Sequence, residues 1–133
     1  MTSALLTGCG GGDPFRYIKV SGKVTFEDGS PIRAEQVKVF FVPQSPPLDE
    51  KTYPRDGIAE VNVSDGTFSL ATSHKYGDGI VPGTHKVLIT AYGPEDASNA
   101  VPAIYSKIET TPIEIDAKDT PFHFTIARQT EQE

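Results

Sequence analysis

The sequence predicts an all-β fold, an antiparallel β-sandwich of seven strands, and three observations carry that expectation. Apolar and polar residues alternate with period two over several short runs. Turn residues punctuate those runs, with 12 Gly and 11 Pro in 133 residues. No stretch carries the 3.6-residue periodicity of an amphipathic helix, and no internal repeat is present. Unequal loops and a strand apolar on both faces favour two packed sheets over a closed barrel.

The first strand alternates from Tyr17, with Ile18, Val20, Gly22, Val24 and Phe26 on one face and Lys19, Ser21, Lys23 and Thr25 on the other. It ends at Asp28-Gly29, where the backbone can turn, and at Pro31, which cannot continue a ladder. The second, Val37 to Pro43, is apolar on both faces apart from Lys38, which places it inside a sheet. A proline-rich loop follows to Gly57. From Ile58 to Thr72, Ala59, Val61 and Val63 point inward, Ser64-Asp65-Gly66 turns, and Phe68 and Leu70 resume the apolar face: a β-hairpin.

A second loop, Ser73 to Gly83, leads to a strand over Thr84 to Tyr92 with Val87, Ile89 and Ala91 facing one way. The stretch from Gly93 to Thr111 is irregular, with Val101, Ile104, Tyr105 and Ile108 suited to packing down. Two strands close the domain, Pro112 to Asp116 and Pro121 to Ala127, the latter with Phe122, Phe124 and Ile126 inward and His123 and Thr125 outward. The chain thus divides into a leader (1–9), a glycine-rich tether (10–16), one β domain (17–127) and a polar tail (128–133).

Twelve basic against eighteen acidic residues give a net charge of −6 with the cations scattered, which argues against a nucleic-acid partner. A single Cys cannot form an internal disulfide. No stretch reaches the ~20 apolar residues of a spanning helix.

The runs VSGKVTFEDGSPI, DGTFSLAT, VPGTHKVLITAY and VPAIYS resemble, in that order, the carboxypeptidase regulatory-like domain, a transthyretin-like β-sandwich. They are most similar to the small stand-alone bacterial lipoproteins that carry it. The resemblance spans roughly Ile18 to Ala127 and implies a non-catalytic module outside the cytoplasm, used as a folding or binding accessory. The segment Ile32 to Val37 is more charged than the corresponding family turn.

Leu6-Thr7-Gly8-Cys9 has the small residues that precede a lipid-attachment cysteine, so Cys9 is the expected acylation site. Only Ala4, Leu5 and Leu6 supply apolar character and no Lys or Arg precedes them, so residues 1–8 read as the remnant of a signal whose start lies upstream. Gly10, rather than Asp, after the cysteine points by analogy with bacterial lipoprotein sorting to the outer membrane, within an envelope or periplasmic location.

No reaction is indicated. His74, His85 and His123 lack zinc-ligand spacing and are read as solvated, so no metal or cofactor is expected. The Tyr-Arg-Gly-Ser terminus of related transthyretin-like hydrolases is absent from RQTEQE, there is no G-x-S-x-G elbow, and the last strand has no Asn for a Lys-Asn crosslink. Asp28, Asp65, Asp78, Glu95 and Asp96 sit in turns without the calcium-loop pattern. Tyr53, Tyr76, Tyr92 and Tyr105 lie near connections, where such rings either stack sugars and anchor partners or cap the core at its ends. The function expected is a non-enzymatic envelope lipoprotein binding protein or polysaccharide through loops. The alternatives are a structural subunit joined by edge-strand addition, and a hydrolase with an unrecognised site.

Overall fold

The computed structural model describes residues 15–93 and 101–127. Cys9, the lipobox, the glycines of the tether, Glu95, Asp96 and the polar tail lie outside the described residues. Among the described residues seven strands form two sheets. β1 (Gly22–Phe26), β4 (Thr67–Phe68) and β7 (Phe122–Ile126) make one, in the order β4-β1-β7. β2 (Gln36–Pro43), β3 (Gly57–Val61), β5 (Thr84–Tyr92) and β6 (Glu114–Asp116) make the other, in the order β3-β2-β5-β6. Among the described residues the helical content is two 3-10 turns, Ala103–Ser106 and Ala117–Asp119.

β2 lies inside its sheet, as its doubly apolar sequence requires, paired from Gln36↔Tyr92 to Pro43↔His85 along β5 and from Val37↔Val61 to Phe41↔Gly57 along β3. Val37, Val39 and Phe41 are buried, together with Ala59 and Val61 of β3 and Val87 and Ile89 of β5. The other sheet adds Val24, Phe26, Phe68, Phe122, Phe124 and Ile126 to the same cluster. Phe41 joins the two contributions, its ring centroid lying 6.1 Å from Phe68, 6.0 Å from Phe122 and 6.2 Å from Phe124.

Several expectations are corrected. β7 runs parallel to β1, from Gly22↔Phe122 to Phe26↔Ile126, so the three-stranded sheet is mixed rather than antiparallel. The cause is how the chain arrives: Thr120 Oγ1 accepts the Ser21 N–H (3.0 Å) and the Phe122 N–H donates to the Ser21 carbonyl (2.9 Å), so β7 starts beside the start of β1. β1 is shorter than its alternation, because Ile18 leaves the sheet to bridge Ile80, the Ile18 N–H donating at 2.7 Å and the Ile80 N–H returning at 3.0 Å. Thr25, read as outward, is buried in the central strand of its sheet, its hydroxyl 3.1 Å from His123 Nε2.

The hairpin over Ile58 to Thr72 splits between sheets: β3 pairs with β2 and β4 with β1, joined at the turn by the Asn62↔Thr67 bridge. Gly66 enables that turn at φ +79°, where its carbonyl accepts the Val24 N–H (2.7 Å). Beyond Phe68 the phase slips, so Ala71 rather than Leu70 enters the core. In the long connection Tyr105 packs inward while Ile104 is exposed.

Candidate functional site: a groove beneath Tyr76

The outward face of the four-stranded sheet is ordered by register. Lys38 of β2 stands opposite Glu60 of β3 and Thr90 of β5, and one step along, Phe40 stands opposite Ile58 and Leu88. A mixed charged row therefore adjoins an apolar one across three strands. Ile58 is 42% exposed although its neighbours Gly57 and Ala59 are buried.

The chain after β4 returns along the edge of this face. Thr72 bridges Ile58, each N–H donating to the other's carbonyl at 2.9 Å, which closes the β3 edge there. A tight loop then rises from it. Asp78 accepts the amide N–H groups of Ser73 (2.9 Å), His74 (3.1 Å) and Lys75 (2.8 Å), and the Gly77 N–H donates to Thr72 Oγ1 (2.8 Å). At the loop's base Ser73 Oγ donates to the Gly79 carbonyl (2.6 Å) and the Gly79 N–H to the Ala71 carbonyl (2.9 Å). Burial alone would raise the Asp78 carboxyl, but the amides of Lys75, Ser73 and His74 hold it below its ordinary range. The loop carries Tyr76 at its tip, 85% exposed.

Tyr76, Lys38, Ile58, Glu60, Ser69, Leu70 and Thr72 line a groove of about 410 Å³. Gln36 Nε2 donates to Glu60 Oε2 at 3.1 Å and steadies that carboxylate. The groove thus offers an ammonium, a carboxylate, two hydroxyls and an accessible aromatic ring around an apolar floor.

Of the four tyrosines singled out by sequence, only Tyr76 lines this groove. Tyr53 (60% exposed) lies in the β2–β3 loop, and Tyr92 (69% exposed) ends β5 opposite Gln36, at the other end of the sheet from that loop. Tyr105 is 5% exposed and its hydroxyl accepts the Ala127 N–H at 2.9 Å, so its ring caps the core and is closed to ligands. Sequence reading missed Lys38, Glu60, Ser69, Leu70 and Thr72 as a group, because register sets Lys38 opposite Glu60 and the Thr72–Ile58 bridge brings the chain after β4 alongside them. Ile58 was detectable: it stands out of phase with Ala59 and Val61, an apolar residue on the polar face.

The turn carboxylates serve the backbone. Asp28 Oδ1 accepts the Ser30 N–H and hydroxyl, and Asp65 Oδ1 those of Thr67. Among the described residues no group of three or more His, Cys, Asp or Glu could hold a metal ion, and no helix is long and apolar enough to cross a membrane.

His85, read as solvated, is fully buried, and its parity with Val87 and Ile89 explains why. Its Nδ1 lies 3.0 Å from the Gly83 carbonyl, an acceptor, so Nδ1 carries the proton and Nε2 is a bare acceptor with no hydrogen-bond partner. Burial pushes the imidazole down, against the upward pull of its Gly83 bond and of Asp116 and Asp56. The unfolded ring titrates near 6.5, so below that pH the unfolded chain binds the extra proton. The stability contributed by the neutral ring is complete above about pH 6.5 and is lost as the pH falls from there through the lower folded value. The urea midpoint should accordingly drop between about pH 7.5 and about pH 5.5, and His85→Leu should flatten that slope; an equal slope in the variant would place its origin elsewhere.

Compared with known proteins, the chain matches no family model, no curated protein and no solved structure.

Proposed function

We propose that this chain is a non-enzymatic binding module of the cell envelope, a β-sandwich tethered by a lipid on Cys9 and recognising protein or polysaccharide through the groove beneath Tyr76. The observation that carries the binding role is the held presentation of Tyr76: a large ring 85% exposed at the tip of a loop fixed by its own hydrogen bonds. Burial of the ring cannot account for that arrangement, whereas a partner that stacks on it would gain contact area without first ordering the loop. Two sheets contributing to one buried cluster support the sandwich reading. Resemblance to the carboxypeptidase regulatory-like lipoproteins supports the address. The recognition surface moves from the loop ends, where Tyr53 and Tyr92 stand apart, to the outer face of the four-stranded sheet.

Expressed from its own locus in cells fed an alkyne-bearing palmitate, the protein should take up label and sediment with membranes. Cys9→Ala should lose the label and remain soluble. A soluble, unlabelled wild-type protein would remove the anchor from the proposal.

A further inference from the structure

We infer that the groove beneath Tyr76 is a glycan site, taking a neutral oligosaccharide chain with one sugar ring stacked on Tyr76 and its hydroxyls shared between Lys38 and Glu60. The inference rests on the binding reading above and names its ligand class.

Three observations select this chemistry. The first is the mixture of groups. A sugar ring presents an apolar C–H face and a rim of hydroxyls that both donate and accept. The groove answers with Tyr76, Ile58 and Leu70 for the face, Lys38 as donor, Glu60 as acceptor, and the Ser69 and Thr72 hydroxyls able to act either way. Its volume of about 410 Å³ lies within the roughly 300–1,000 Å³ of small-ligand sites.

The second is the absence of a free backbone ladder at this place. An extended peptide gains much of its affinity by adding a strand to an open edge. Here β2 is paired on both sides, and the β3 edge at Ile58 is occupied by Thr72 through both backbone hydrogen bonds. Whatever occupies the groove is recognised by side chains, which suits a ligand whose polar groups are all on its rim.

The third is charge. One ammonium and one carboxylate stand opposite each other in register, and the chain as a whole carries −6. A polyanionic partner is repelled by that field, and the groove's own ammonium and carboxylate balance, leaving no local charge for a charged ligand to neutralise, so an uncharged ligand fits best.

The test uses the full chain, titrated calorimetrically with cellohexaose, chitohexaose and maltohexaose and, in parallel, panned against a phage-displayed dodecapeptide library. At least one hexasaccharide should bind with a Kd below about 5 mM, the weak range expected of a shallow site. Tyr76→Ala should weaken it roughly tenfold or more while Tyr76→Phe retains it, since stacking needs the ring and not the hydroxyl. Because the ring is 85% exposed, neither variant should shift the thermal midpoint, which separates lost binding from lost fold. Saccharide binding unaffected by Tyr76→Ala would overturn the site. Enrichment of peptides that need Tyr76, with no saccharide bound, would overturn the glycan while leaving the binding module standing. Failure of both arms would overturn both.

Discussion

Phe41→Ala should cost about 3–5 kcal/mol, the range for truncating a fully buried aromatic ring in a core that cannot collapse around the gap. Phe41 has no exposed surface, and its ring meets Phe68, Phe122 and Phe124 of the other sheet and, edge-on at 6.4 Å, the imidazole of His85. The substitution therefore removes aromatic contacts between the two sheets and widens the space around an imidazole that already lacks a partner on Nε2. Small domains are stabilised by only about 5–15 kcal/mol, so the variant loses a large part of its total and its thermal midpoint should fall by roughly 10–20 °C. The neighbouring Phe40 provides the control. It lies on the opposite face of the same strand, half-buried beside Ile58 and Leu88, and Phe40→Ala should cost roughly a third as much. Urea unfolding followed by circular dichroism measures both. If Phe40→Ala proved the costlier, the register of β2 would be off by one residue.

That pairing of neighbours also marks what the sequence could disclose. Face is written in period two: the strand over Thr84 to Tyr92 has the same bounds in sequence and structure, and the inward set Phe122, Phe124 and Ile126 follows from alternation alone. Partner and direction are not written there. Nothing in Phe122 to Ile126 says that β1 lies beside it or that the two run parallel; that follows from the Thr120 and Ser21 contacts, nearly a hundred residues apart in the chain. Asp65-Gly66 marks a turn in sequence and in structure, yet the same turn chemistry serves whether the flanking strands share a sheet or divide between two, as β3 and β4 do. At His85 the residue type points to the surface and the parity with Val87 and Ile89 to the core, and in the fold the parity prevails. The groove is legible only in part, because Tyr76 is local whereas its companions Lys38 and Glu60 are brought to it by pairing.

Gly79→Ala should reach both stability and binding, which distinguishes it from every substitution at Tyr76. Gly79 adopts φ +108°, a conformation that residues with a Cβ rarely take, and a Cβ there would overlap the carbonyl of Ile18. That carbonyl accepts the Ile80 N–H, so relieving the overlap breaks the Ile18–Ile80 bridge that attaches the entry to β1. Strain of about 1–3 kcal/mol, together with two disrupted backbone hydrogen bonds worth about 1 kcal/mol each, gives an expected loss of about 3–5 kcal/mol. The consequence extends along the loop. The Gly79 N–H holds Ala71 and its carbonyl holds Ser73 Oγ, so displacing Gly79 loosens the base from which Asp78 organises the turn and Tyr76 is presented. Gly79→Ala should therefore lower the urea midpoint and weaken hexasaccharide binding together, while Tyr76→Ala weakens binding alone. If Gly79→Ala unfolded early in urea yet bound the saccharide as wild type under native conditions, Tyr76 would not depend on its loop for position, and preorganisation would cease to explain its exposure.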